Sequence, residues 1–139
     1  MLGGSRVYDL LVRYRMNKIY FDAVDAKKRI IKIEDHEGFY TIWFKASKES
    51  IKRGSSDRYI VTASSKGFKC TCPAATIEAS KRGDEKGWRT ICKHVIASAF
   101  YLEERGLLRD EMLDALEEAL QNSLEKNKKI SNERRALTY

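Results

Sequence analysis

The placement of a few soft metal ligands restricts this 139-residue chain more than any other feature. It holds three cysteines, Cys70, Cys72 and Cys92, and two histidines, His36 and His94. Four of these five stand in two tight pairs, Cys70-Thr71-Cys72 and Cys92-Lys93-His94. An odd cysteine count argues against a closed disulfide framework. The first residues, Met-Leu-Gly-Gly-Ser-Arg, lead into a stretch broken by Asp9, Arg13 and Arg15 instead of an apolar signal segment. A reducing, cytoplasmic setting is therefore the expectation. Tetrahedral zinc takes four nitrogen or sulfur donors. A C-x-C turn lets two sulfurs face one point. A C-x-H at a helix start adds a third sulfur and an imidazole, next to the end of the helix that favours an anionic thiolate. The competing reading has three buried cysteines acting as small hydrophobes, with His94 satisfied on a helix. Zinc is favoured because every cysteine is used and each pair falls at an expected element boundary, where a clip is useful.

The rest of the chain reads as α+β. Val7, Leu10, Leu11 and Tyr14 recur at helical spacing, and residues 5–28 form one helix, or two split at Asn17-Lys18. Arg29–Ile33 and Phe39–Phe44 are β-prone and flank a turn cluster, Asp35–Gly38, which predicts a hairpin. His36 in that turn reads as solvent-exposed and not as a ligand. After a polar loop, Ser47–Asp57, come two further strands, Tyr59–Ala63 and Phe68–Cys72, with Pro73 ending the second. Residues 74–90 read as an irregular loop, Ile91–Arg105 as a helix stopped at Gly106, and a last helix opens at Asp110. The expected architecture is a small antiparallel sheet of three or four strands with an N-terminal helix and two C-terminal helices, clipped by one structural zinc. Residues 1–125 form the single domain, and 126–139 a basic tail without periodicity. No apolar run is long enough to cross a bilayer.

The run Tyr59-Ile60-Val61-Thr62, a turn, Cys70-Thr71-Cys72-Pro73 and then Cys92-Lys93-His94-Val95-Ile96-Ala97 resembles the SWIM-type zinc finger. That family places a strand before C-x-C, often a proline after it, and a helix of small and apolar residues after C-x-H. The match covers residues 59–102, with a longer spacer than the compact form of the family. The resemblance implies Cys70, Cys72, Cys92 and His94 as zinc ligands. It leaves the role open, since SWIM modules are linked both to DNA binding and to protein contacts. Three thiolates and one imidazole close the coordination shell, and neither a phosphate loop nor a nucleophile elbow is present, so no enzyme is expected.

Charge bears on partners. Lys plus Arg number 27 and Asp plus Glu 20, a net of +7. Residues 103–118 hold seven acids and two bases, a net of −5, so the remainder carries +7 − (−5) = +12. The acidic stretch reads as a solvated helix face. The basic part suits polyanions. Lys69, Lys81, Arg82, Arg89 and Lys93 form a candidate rim around the ligand pairs, with Trp88 placed to stack on a base. Lys126, Lys128, Lys129, Arg134 and Arg135 extend it along the tail. Strand 39–44 is apolar on both faces, and its second face is expected to be covered by the chain's own helices. The leading expectation is a small basic subunit that binds nucleic acid, structured RNA first and DNA second, within a ribosome or other ribonucleoprotein. The alternative is a protein-interaction subunit of a recombination or repair complex that partners a recombinase paralogue, resembling the SWIM subunits of Shu-type complexes. A DNA-binding regulator or transposase remnant stands third. No membrane or small-molecule partner is expected.

Overall fold

The structure, a computed structural model, describes residues 4–46, 52, 58–82 and 87–137. Its elements run α1 (Arg6–Arg13), α2 (Ile19–Lys27), β1 (Ile30–His36), β2 (Phe39–Lys45), β3 (Arg58–Ser64), β4 (Gly67–Cys70), α3 (Pro73–Arg82), α4 (Lys93–Glu104) and α5 (Asp110–Leu137). The four strands form one antiparallel meander in sequence order. The fold is α+β, as the sequence predicts, with an added helix, α3, after the sheet.

The N-terminal helical region is split. Ser5 caps α1 by accepting the Tyr8 N–H at 3.1 Å. The helix ends where Arg15 takes a left-handed φ of 58° and the Met16 N–H reaches back to Leu11 O at 2.8 Å. Asn17-Lys18 then turns the chain into α2. Ala23 and Ala26 are fully buried on α2, which packs chiefly on α4, because small side chains allow close approach. The hairpin turn is tighter than expected. The strands run on through Asp35 and His36, and only Glu37-Gly38 turn. His36 is half-buried, stacked on Phe39 at 4.6 Å.

Strand alternation sorts the sheet into two faces. Ile42 and Phe44 of β2, Tyr59, Val61 and Ala63 of β3, and Phe68 and Cys70 of β4 are buried on the helix side. The opposite positions, including Lys32, Trp43, Ile60, Thr62 and Lys69, form an outer face. That face departs from the expectation for strand 39–44: Phe39 is 38% exposed, and Trp43 and Ile60 are only half-buried. On the side of the buried aliphatic row, β3 and β4 meet α4, and β4 also meets α3 and α5. One cluster of buried residues runs from Val7 to Leu120, centred on α4, where Val95, Ile96, Ala97, Ala99 and Leu102 are all fully buried. Side chains such as Ile42, Phe44, Ile96 and Leu102 each stabilise the fold by about 1.5–3 kcal/mol through removal from water.

Three sequence expectations are corrected. Residues 73–82 are helix, not irregular loop. Pro73 does not merely end a strand. It opens α3 at the first helical position, where its missing N–H costs nothing. The last helix continues to Leu137, so the backbone of 126–137 is helical where an aperiodic tail was expected. Lys and Arg suit the negative end of that helix dipole. The acidic stretch is largely solvent-facing, as expected, with Glu104, Asp110, Glu111, Asp114 and Glu118 exposed, and some of its acids form surface ion pairs. Asp110 pairs with Arg6 at 2.9 Å, Glu117 with Arg13 at 3.3 Å and Glu118 with Arg89 at 3.4 Å, while Glu104 pairs with Lys27. Loop 47–57, apart from Lys52, lies outside the described residues.

Candidate metal centre

Each ligand pair is presented by a strand or loop end running into a helix. Cys70 is the last residue of β4 and faces the helix side because it pairs with buried Val61. Cys72 accepts the first helical bond of α3, with Thr76 N–H to Cys72 O at 3.0 Å. Cys92 stands as the N-cap of α4 in extended conformation, and Ile96 N–H bonds its carbonyl at 3.1 Å. His94 lies in the first turn of α4. Two helices therefore start at this point, and both direct their positive ends toward the sulfurs.

The four candidate ligand atoms, three Sγ and one imidazole nitrogen, lie within 4.8 Å of one another, and all four residues are buried. A tetrahedron with zinc–sulfur bonds near 2.3 Å has edges of about 3.8 Å, so a small contraction closes the shell. None of the three cysteines is in a disulfide. Amide hydrogens already point at the sulfurs: Cys72 N–H donates to Cys70 Sγ and Ala75 N–H to Cys72 Sγ, each at 3.4 Å. The imidazole of His94 is held by Phe44 at 5.0 Å and Tyr59 at 5.1 Å. Its Nδ1 is buried with no hydrogen-bond partner. An orphaned buried nitrogen is costly, and a cation among these donors would relieve the cost. The residues fit one metal ion.

Without an ion the three sulfurs share their protons unequally. Cys72 is held far below the usual thiol range, chiefly by hydrogen bonds from Cys70 and Cys92, helped by His94 and the Ala75 amide. Cys70 is pushed far upward by its hydrogen bond to Cys72, by Cys92 and by burial. For Cys92 the hydrogen bond with Cys70 pulls downward, but Cys72 and burial prevail and push it up to about 12. A bound cation would favour deprotonating all three.

Of the other sequence-predicted residues, Lys69, Trp88, Arg89 and Lys93 have described side chains. Lys69 lies on the outer face of β4, and its Nζ sits 5.7 Å from the ring centroid of half-buried Trp88. Arg89 is exposed. It bridges to Phe68 on the helix side, and its guanidinium faces Glu118, away from Lys69. The chain alternates faces there, so Arg89 and Trp88 cannot share one. Lys93 opens α4 and is half-buried. The side chains of Lys81, Arg82, Lys126, Lys128, Lys129, Arg134 and Arg135 lie outside the described residues. The sequence reading set Trp43 on one face of strand 39–44 but missed Lys32, which forms a second lysine–tryptophan contact with it at 4.5 Å. The signal was present in the alternation of β2, which sets Trp43 opposite the face that holds Ile42 and Phe44. Among the described residues no helix is long and apolar enough to cross a membrane. Searches among protein-family models, curated proteins and solved structures find no match to this chain.

Proposed function

We propose that the protein is a non-enzymatic SWIM-type zinc module that binds nucleic acid, structured RNA above all, as a small basic subunit of a larger assembly such as a ribosome or other ribonucleoprotein. The convergence of Cys70, Cys72, Cys92 and His94 within 4.8 Å carries this reading. Three sulfurs and one imidazole are a donor set characteristic of structural zinc, and four protein ligands leave no open position for a reacting water. When bound, zinc supplies a rigid cross-link between the end of β4 and the starts of α3 and α4. The chain's own residues do the rest. Cys72 and Cys92 fix two helix starts, Phe44 and Tyr59 orient the imidazole, and the net charge of +7 attracts polyphosphate.

Metal analysis of freshly purified, unchelated protein should find one zinc per chain. Affinity for structured RNA, duplex DNA and single strands should then be measured across a salt series. A phosphate-dominated contact weakens steeply with salt. Weak, salt-insensitive binding to every nucleic acid would point instead to the second reading, a protein-interaction subunit of a recombination or repair complex. One observation favours that reading: Phe21 is 78% exposed beside Tyr20, an apolar projection suited to a protein partner.

A further inference from the structure

The outer face of the sheet carries both tryptophans of the chain. Trp43 belongs there because its β2 neighbours Ile42 and Phe44 are buried on the helix side. Trp88 belongs there because Arg89, next to it, pairs with Phe68 on the helix side, leaving Trp88 beside outward-facing Lys69. Each ring carries a lysine ammonium, Lys32 at 4.5 Å from Trp43 and Lys69 at 5.7 Å from Trp88. Three strand spacings, roughly 14 Å, separate β2 from the segment that holds Trp88. Between them lie Ile60 and the cross-strand pair Thr41 and Thr62. The charged outward positions of the strands are Lys32, Lys45, Arg58 and Lys69 against a single carboxylate, Glu34.

We propose that this face is a stacking platform for an unpaired segment of RNA. The inference rests on the nucleic-acid reading above and names the surface and the form of nucleic acid. Two indole rings flanking a half-apolar floor can each take the π-face of a base, at positions separated along the bound strand, and only an unpaired strand exposes such faces. Lys69 stands beside Trp88, able to move from the ring to a phosphate. Lys32 beside Trp43 is also paired with Glu34 at 3.4 Å, and Glu34 accepts from the Trp43 indole N–H at 2.9 Å, so a phosphate there would have to draw Lys32 from that carboxylate. The Thr41 and Thr62 hydroxyls at the centre can donate to and accept from a 2′-hydroxyl, the group that separates RNA from DNA. The lysine excess over Glu34 complements the charge of the strand. A duplex hides its base faces and meets only the positive charge.

The test uses the full zinc-loaded chain, because both of its tryptophans report from the proposed face. Oligouridine, the corresponding deoxy strand and a fully paired RNA hairpin stem are each titrated while tryptophan fluorescence is followed. Oligouridine should quench the emission and bind more tightly than either competitor. Trp43→Ala and Trp88→Ala should each weaken it by about tenfold. Trp43→Phe and Trp88→Phe, which preserve an aromatic floor, should retain most of the affinity, and zinc content confirms that each variant is folded. Oligouridine binding with unchanged fluorescence, or undiminished in folded alanine variants, overturns the platform while leaving nucleic-acid binding intact. Equal affinity for the deoxy strand or the stem overturns the assignment to unpaired RNA. Failure to bind any nucleic acid removes the broader reading together with this one.

Discussion

Thr71 and Ile60 exchange two hydrogen bonds: the Ile60 N–H donates to Thr71 Oγ1 at 3.0 Å, and the Thr71 N–H donates to Ile60 O at 3.1 Å. The residue between two of the sulfurs is thus fastened to β3. The spacing of Cys70 and Cys72 is set by the sheet as well as by the C-x-C turn. Thr71→Val should lower metal affinity by about tenfold, the lower end of what outer partners of metal ligands contribute, while Thr71→Ser retains it. Competition with a chromophoric chelator measures both.

Removing a ligand should be far more damaging. Cys92→Ser or His94→Ala should release the metal and destabilise the fold by several kcal/mol, because metal binding at such a cluster is coupled to folding. Chelation of the wild-type protein should produce a similar fall in the denaturation midpoint, restored by adding zinc. Unchanged midpoints would mean that the four side chains pack without an ion.

Metal affinity should rise with pH. The neighbouring sulfurs and burial raise Cys70 and Cys92, Cys92 to about 12, so these thiols must give up protons when an ion binds as thiolates. The apparent association constant should therefore climb with pH across the neutral range, as read by chelator competition in matched buffers. A flat profile would show that the thiols are not displaced.

Glu103 holds the start of α1 from 98 residues away, accepting the Ser5 hydroxyl at 2.6 Å and the Arg6 and Val7 amides at 2.8 and 3.2 Å. Glu103→Ala should cost about 1–2 kcal/mol in a denaturant titration, the range for a lost helix cap. Glu104→Ala, which breaks only a surface pair with Lys27, should cost less than about 1 kcal/mol.

Gly67 has a φ of 129°, and a Cβ placed there would stand 2.6 Å from the Trp88 carbonyl oxygen. Gly67→Ala combines backbone strain with a collision against main chain, at a cost on the order of 2 kcal/mol or more. The displaced segment leads to Cys92, so chelators should also strip the metal faster from this variant.

The ligand set was legible because cysteine and histidine are scarce here and carry specific chemistry. The boundaries at α1, α2 and α4 were legible because their caps and breaks are local: Ser5, Asn17-Lys18 and Gly106, whose φ of 69° lets Leu107 N–H close back on Leu102 O at 2.8 Å. Helix α3 was not. Only Ala75 and Ala79 of its apolar residues are buried, too weak a stripe to register, and the clue lay in Cys72-Pro73, a capping residue followed by a helix-starting proline. Nor was the outer sheet face. Every residue of Phe39–Phe44 except Thr41 is apolar or aromatic, so alternation alone could not say which side the helices would choose. The pairing of Arg89 with Glu118 was not legible either, because a sequence list of basic residues records neither strand alternation nor tertiary contacts.

The bond between Ser5 and Glu103 also orders the events of folding. Hairpin β1–β2 and the β3–β4 turn join near neighbours, and such short closures form quickly. Helix α1 has its cap partner at the far end of α4, so it cannot seat until nearly the whole intervening chain has been synthesised and arranged. On a ribosome α1 would emerge well before it could dock. Until then Val7, Leu10 and Leu11 would remain in water, the interval in which the nascent chain is most open to self-association or to capture by a chaperone.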